Sequence, residues 1–271
     1  GMLRHKPHGV MAVLGPFNFP AHLPNGHIVP ALLAGNTVVF KPSELAPGPG
    51  GFIVAAMEEA GAPKGVVNLV HGARETGEAL LDARGLGGVL FTGGYKTGLL
   101  IHRKFADRLD IITALELGGN NPLIWWDTDD VDAAAWTVVQ SAFLTSGQRC
   151  TCARRLIVPD GAAGDRFVDK LGALVDRLIV GKPFDEPQPF MGPVISSKAA
   201  EALERAFDFR ADQGGEVIRA LSVQDERSAF VSPGIIDLTR ADAIPDEEHF
   251  GPMLAVYREK TFDAAIARAN A

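Results

Sequence analysis

The sequence has few cysteines, no strongly positive charge and no long apolar run, and each shortage excludes a class of protein. Cys150 and Cys152 are its only two cysteines. Two thiols so close together cannot staple a fold, so the chain is not a disulfide scaffold; they fit a reducing compartment, read as the cytoplasm, and leave thiol chemistry open. The formal net charge is −7, from 26 basic and 33 acidic residues. That balance argues against a nucleic-acid or anionic-membrane surface. No apolar run reaches the roughly 18 residues of a membrane span. The opening Gly1-Met2-Leu3-Arg4-His5-Lys6-Pro7 has no apolar core of a signal peptide, and Gly1-Met2 reads as a tag scar before a start codon. The seven histidines show no metal-ligand spacing such as HExxH, so no metal is expected. What the sequence does have is 46% hydrophobic residues, enough for a real core, together with 30 glycines and 18 prolines, the mark of a loop-rich scaffold.

The pattern along the chain alternates strand and helix. Strands are expected at Val10–Leu14, Thr37–Phe40, Val66–Val70 and Val89–Phe91. Helices are expected between and after them at Ile28–Ala34, Phe52–Ala60, Glu75–Ala83 and Thr97–Phe105. Such spacing implies βαβ units and a parallel sheet, with the strand-end loops on one edge. After Gly118-Gly119 the pattern resumes. Strands are expected at Leu123–Trp126 and Arg155–Val158, and helices at Val131–Leu144, Asp165–Ile179 and Lys198–Gln213. Leu171, Leu174, Val175 and Leu178 form the core stripe of the second of these helices. A Pro-rich loop covers Gly181–Pro193, and Val217–Ala271 reads as short strands, a loop at Pro245–Pro252 and a closing helix. The spacing places a domain boundary near Leu117–Asn120. The fold class is therefore α/β.

Five segments carry candidate chemistry, and each has a plainer reading. Cys150, in Ser146-Gly147-Gln148-Arg149-Cys150-Thr151-Cys152, lies on a turn between a helix and a strand, where Arg149 could favour a thiolate nucleophile; the plainer reading is a buried structural thiol. Cys152 reads as structural. Glu116, at the end of an apolar strand before two glycines, suits a general base of raised pKa or a carboxylate bonded to glycine amides. Asn18, in Gly15-Pro16-Phe17-Asn18-Phe19-Pro20, suits an oxyanion donor or an Asx turn. Lys41-Pro42-Ser43-Glu44 follows a strand, where doubly wound sheets bind ligands, or is an ordinary polar loop. Gly93-Gly94-Tyr95-Lys96-Thr97-Gly98 joins a strand to a helix whose first N–H groups could meet a phosphate, yet it is neither a P-loop nor G-x-G-x-x-G.

Taken together these segments resemble the aldehyde dehydrogenase superfamily, in order and over nearly the whole chain. Pro16-Phe17-Asn18-Phe19-Pro20, Lys41-Pro42-Ser43-Glu44, Phe91-Thr92-Gly93, Glu116-Leu117-Gly118-Gly119, Gly147-Gln148-Arg149-Cys150 and Glu248-His249-Phe250-Gly251-Pro252 resemble its successive motifs. The 34 residues from Glu116 to Cys150 match its spacing. Pro7-His8-Gly9-Val10-Met11, Leu23-Pro24-Asn25-Gly26-His27, Leu117-Gly118-Gly119-Asn120-Asn121-Pro122 and Cys150-Thr151-Cys152-Ala153-Arg154-Arg155 narrow the resemblance to a branch acting on a succinylated semialdehyde in bacterial arginine degradation.

The resemblance implies a Rossmann-like parallel-sheet NAD domain at 1–117 and an α/β catalytic domain at 118–271, both incomplete, with flanks and an oligomerisation strand missing. It implies Cys150 as nucleophile, Glu116 as base and Asn18 as oxyanion donor. NAD would be bound by Phe17, Lys41, Ser43, Glu44, Gly93, Gly94, Gly98, Leu117, Glu248 and Phe250, and Glu44 would disfavour a 2′-phosphate. Gly94 stands where the family usually has Ser, which removes one hydroxyl from the phosphate contacts. Arg149 or Arg154 would meet a substrate carboxylate. The implied partner is a small aldehyde, with no nucleic acid or membrane and with a homo-oligomer in the full-length enzyme. Two alternatives are an inactive fragment that binds nucleotide and a cysteine hydrolase using Cys150 with a distant histidine.

Overall fold

The computed structural model describes residues 1–2, 6–224, 228–242 and 244–271. Residues 3–5 of the opening segment, His5 among them, and residues 225–227 and 243 of the expected C-terminal strands and loop lie outside the described residues. The chain divides into two compact units, Gly1–Gly118 and Gly119–Ala271.

The first unit contains, in chain order, β1 (Val10–Leu14), α1 (His22–Leu33), β2 (Thr37–Lys41), α2 (Gly48–Glu59), β3 (Val67–Leu69), α3 (Arg74–Leu81), β4 (Leu86–Gly93), α4 (Tyr95–Phe105) and β5 (Ile112–Leu117). Its sheet is parallel throughout, in the order β3-β2-β1-β4-β5. The inner strands β2, β1 and β4 are largely apolar and mostly buried, as in a parallel sheet covered on both faces, while the edge strands β3 and β5 are more exposed. Ile28, Ala31 and Val54 of α1 and α2 pack on Met11, Val13, Val38, Phe40 and Leu90. On the other face Ile101 and Phe105 of α4 pack on Ala12, Leu14, Val89 and Phe91. Each Val, Leu, Ile, Phe or Met among them contributes roughly 1.5–3 kcal/mol when removed from water. Helix α1 starts six residues earlier than its apolar pattern, because Pro24 sits in the first turn, where a missing N–H costs nothing. Pro30 lies inside the same helix at the expense of one hydrogen bond.

The second unit contains β6 (Pro122–Ile124), α5 (Val131–Phe143), β7 (Arg155–Pro159), α6 (Ala162–Val175), α7 (Ser197–Asp212), β8 (Glu216–Arg219), β9 (Gly234–Asp237), β10 (Met253–Glu259) and α8 (Phe262–Ala269). Its sheet runs β6-β7-β10-β9-β8, parallel except for the edge strand β8. Side chains cap three helix starts: Asp130 accepts from Ala133 N–H, Ser196 from Ala199 N–H and Thr261 from Ala264 N–H. Helices α5 and α6 cover one face over Leu156, Val158, Ile235, Leu254 and Val256. Helix α7 covers the other over Ile236, Leu238, Met253 and Ala255. Leu171 and Val175 are buried as the stripe requires, whereas Leu178 lies beyond the end of α6 and packs on the same core from a turn.

Candidate active site

In the first unit β1 and β4 are neighbours, but the chain leaves β1 towards β2 and β4 towards β5. That reversal is where open α/β sheets leave a crevice outside the strand ends. Segments expected to carry chemistry stand at these ends. Leu14 runs into Pro16–Pro20, where Phe17 and Asn18 are half-buried. Lys41 closes β2 with 8% exposure. Its Nζ donates to the Gly72 carbonyl at 2.8 Å and the Pro42 carbonyl at 2.9 Å, and pairs with Glu44 Oε2 at 3.5 Å. Glu44 is half-exposed at its carboxylate, and Ser43 Oγ accepts from Leu45 N–H at 3.3 Å. Gly93 ends β4, and Gly94 is the extended N-cap of α4, with open space where a side chain would stand. Such a helix start presents N–H groups to an anion. Gly98 is required for a different reason: a Cβ there would lie 2.5 Å from Leu117 Cδ2, so glycine lets α4 lie against β5.

Glu116 is exposed on β5, where an apolar strand end suggested burial. The reason is topological, since β5 is an edge strand of this sheet. Glu116 pairs in register with Thr92 of β4. Thr92 Oγ1 lies 3.0 Å from Nε2 of the half-buried His27 on α1. Burial pulls the His27 imidazole below the ordinary histidine value, and the Glu116 charge opposes this. The spacing of the histidines gave no sign of this contact, because it forms across three elements.

In the second unit α5 ends at Phe143, and Thr145, Ser146 and Gly147 take φ of 59°, 55° and 65°. Two non-glycine residues in the left-handed region cost roughly 1–2 kcal/mol each. Strain of this kind persists only where the surroundings over-determine it. They do so here. Ser146 Oγ donates to the Gly192 carbonyl at 2.7 Å, Gln148 Oε1 accepts from Ile195 N–H at 2.9 Å, and Arg149 Nε donates to Thr145 Oγ1 at 2.9 Å. Beyond the turn, Asn121 Nδ2 donates to the carbonyls of Cys150 at 2.6 Å and Cys152 at 3.0 Å. Cys150 is thus half-buried on a turn held from both sides. Cys152 is 1% exposed, and burial pushes its thiol up, as befits a structural residue. Ser146, Gln148 and Asn121 escaped the sequence reading because their partners lie in distant segments.

The Glu248–Pro252 loop belongs to the same unit. Glu248 is mostly buried. Desolvation raises its carboxyl, while Arg154 and a bond from Gly119 N–H pull the other way. Its Oε1 is buried and has no hydrogen-bond partner among the described residues. Such an acceptor fits a ribose hydroxyl, so this position suits a nucleotide. The Phe250 ring stacks 5.6 Å from the Arg154 guanidinium carbon. Arg154, a candidate for a substrate carboxylate, is 3% exposed and donates to the carbonyls of Gly251, Gly147 and Arg149. Its two terminal nitrogens donate to backbone, while its buried Nε has no hydrogen-bond partner among the described residues. Among the described residues no group of three His, Cys, Asp or Glu could hold a metal, and no helix is long and apolar enough to cross a membrane.

A doubly wound parallel sheet in one unit and a thiol on a strained turn in the other define a class, and comparison with known proteins agrees. The aldehyde dehydrogenase family profile matches residues 1–271, and the chain belongs to that family. Among curated relatives, N-succinylglutamate 5-semialdehyde dehydrogenase 1 of Caulobacter vibrioides is 56% identical over 269 residues, 99% of this chain and 57% of its own. N-succinylglutamate 5-semialdehyde dehydrogenase of Burkholderia cenocepacia is 54% identical over 270 residues, 99% of this chain and 55% of its own. Among solved structures, PnpE from Pseudomonas sp. WBC-3 superposes with a TM-score of 0.89 at 35% identity, over 97% of this chain and 54% of its own. PnpE has also been solved with nicotinamide adenine dinucleotide. The chain spans about half the length of the curated relatives it matches.

Proposed function

We propose that the protein oxidises N-succinylglutamate 5-semialdehyde to the carboxylate with NAD, as a step of arginine catabolism. The observation that carries this reading is the Cys150 turn: strained, held from both sides, and bearing a half-buried thiol beside a fully buried one. The identity to two enzymes of that name supports the substrate. The first unit is read as the NAD-binding domain and the second as the catalytic domain. We place the enzyme in the cytoplasm as a homo-oligomer, on the free thiols and the family resemblance.

Cys150 as thiolate attacks the aldehyde carbon, forming the C–S bond while the carbonyl electron pair moves to oxygen. That oxyanion accepts hydrogen bonds from the Asn18 amide and the Cys150 backbone N–H. As the oxyanion pair re-forms the C=O bond, this carbon loses a hydride, for which bound NAD would supply the acceptor, and a thioester on Cys150 remains. Lys41 and Glu44 would hold the adenosine ribose, with Ser43 shaping the turn between them. Gly93 and Gly94 would leave the start of α4 open to the diphosphate, with Gly98 letting α4 lie against β5. Glu248 would take the nicotinamide ribose, with Phe17, Leu117 and Phe250 packing near the ring. Glu116 then removes a proton from water as its oxygen attacks the thioester, the C–S bond breaks, and Cys150 leaves as thiolate. Because Arg154 is committed to backbone, Arg149 is the arginine we assign to the substrate carboxylate.

The test is NADH formation by the full-length gene product with this semialdehyde. Steady formation, lost in Cys150→Ala, is expected. No NADH with any aldehyde would overturn the reading, and NADH only with other aldehydes would overturn the substrate.

A further inference from the structure

Two segments of the second unit, the turn before Cys150 and the loop after Glu248, meet on one side chain. Arg154 Nη1 donates to the Gly251 carbonyl at 2.8 Å. Its Nη2 donates to the Gly147 carbonyl at 2.6 Å and the Arg149 carbonyl at 3.1 Å. The same nitrogen lies 3.8 Å from Glu248 Oε1. Gly147 and Arg149 are two of the three residues that lead into Cys150.

The packing explains why a guanidinium is needed there. A Cβ on Gly147 would lie 2.1 Å from the Gly251 oxygen, so the two backbones touch. This brings two carbonyl dipoles into one dry space, where a shared cation stabilises both. A planar fork reaches the two segments through two separate nitrogens held in fixed geometry, whereas the ammonium of lysine donates from one nitrogen only. The turn being held is the strained one, so its geometry depends on such outside contacts.

We propose that Arg154 is a positioning residue that fixes the Cys150 turn against the loop carrying Glu248, so that nucleophile and ribose acceptor hold one relative geometry. The inference rests on the roles given to Cys150 and Glu248 above. It requires no contact of Arg154 with substrate or cofactor.

The test compares Arg154→Lys and Arg154→Met with Arg258→Met in the full-length gene product. Arg258 pairs with Asp237 and Asp165 elsewhere in the same unit, and serves as a purely structural loss. Three quantities are read: thermal unfolding, the rate of Cys150 alkylation by iodoacetamide followed by tandem mass spectrometry, and kcat with NAD. All three variants are expected to melt earlier. Only the Arg154 variants are expected to change the alkylation rate, by about threefold or more. Their kcat should fall about 10- to 100-fold, as expected of a displaced nucleophile. If Arg154→Met fails to fold, Arg154→Lys carries the comparison. Folded Arg154 variants with wild-type alkylation and kcat would overturn the proposal and leave the function standing. A wild type that forms no NADH, with alkylation still changed in the Arg154 variants, would overturn the function and leave the positioning role standing.

Discussion

At the residue scale the most informative group is Glu248. Its desolvation outweighs the attraction of Arg154, so its carboxyl is raised in the folded state. A raised folded value means the fold favours the protonated form, and ionised Glu248 counts against stability once pH exceeds its unfolded value of about 4.3. Glu248→Gln should therefore raise the unfolding free energy at pH 7 by up to about 1 kcal/mol, with a higher Tm, while weakening NAD binding. A lower Tm in calorimetry would contradict this. His27 has the opposite sign. Its folded value is lowered, so its neutral form contributes stability above the unfolded value of about 6.5 that is lost as pH falls through the folded one. Between about pH 7 and pH 5, His27→Asn should lose less stability than the wild type; equal losses would refute the burial argument. At this scale the sequence was most legible where a motif is contiguous, as at Gly147–Cys150. It was least legible where a contact joins distant segments: His27 with Thr92, or Asn121 with the Cys150 carbonyl.

At the element scale the strands β1 to β4 of the first sheet and β6 and β7 of the second could be read from apolar runs, as expected of buried parallel strands, whereas β8, β9 and β10 were legible only as short strands without bounds. Element ends were read less well. Helix α4 begins two residues before its expected start, β4 extends past its apolar centre through Leu86–Gly88 and Thr92–Gly93, and α6 stops at Val175 while its apolar stripe continues. The left-handed turn at Thr145–Gly147 leaves no mark in the sequence, since Thr and Ser rarely adopt it. Close approach of elements gives a direct prediction. Gly98→Ala forces a Cβ against Leu117, so it should cost about 1–3 kcal/mol in denaturant unfolding. A loss below about 0.5 kcal/mol would mean that Leu117 moves aside freely.

At the scale of the whole molecule the chain is two α/β units whose candidate residues are divided by sequence. Asn18, Lys41, Glu44 and Glu116 belong to the first, and Cys150 and Glu248 to the second. The proposed reaction assigns bond formation to Cys150 and water activation to Glu116, so blocking the second should preserve the product of the first. The most direct measurement is the intact mass of Glu116→Gln full-length protein after brief incubation with NAD and N-succinylglutamate 5-semialdehyde. The account predicts one acyl group on Cys150 with a single burst of NADH. Steady turnover equal to the wild type, or a protein that reacts without modification of Cys150, would contradict it.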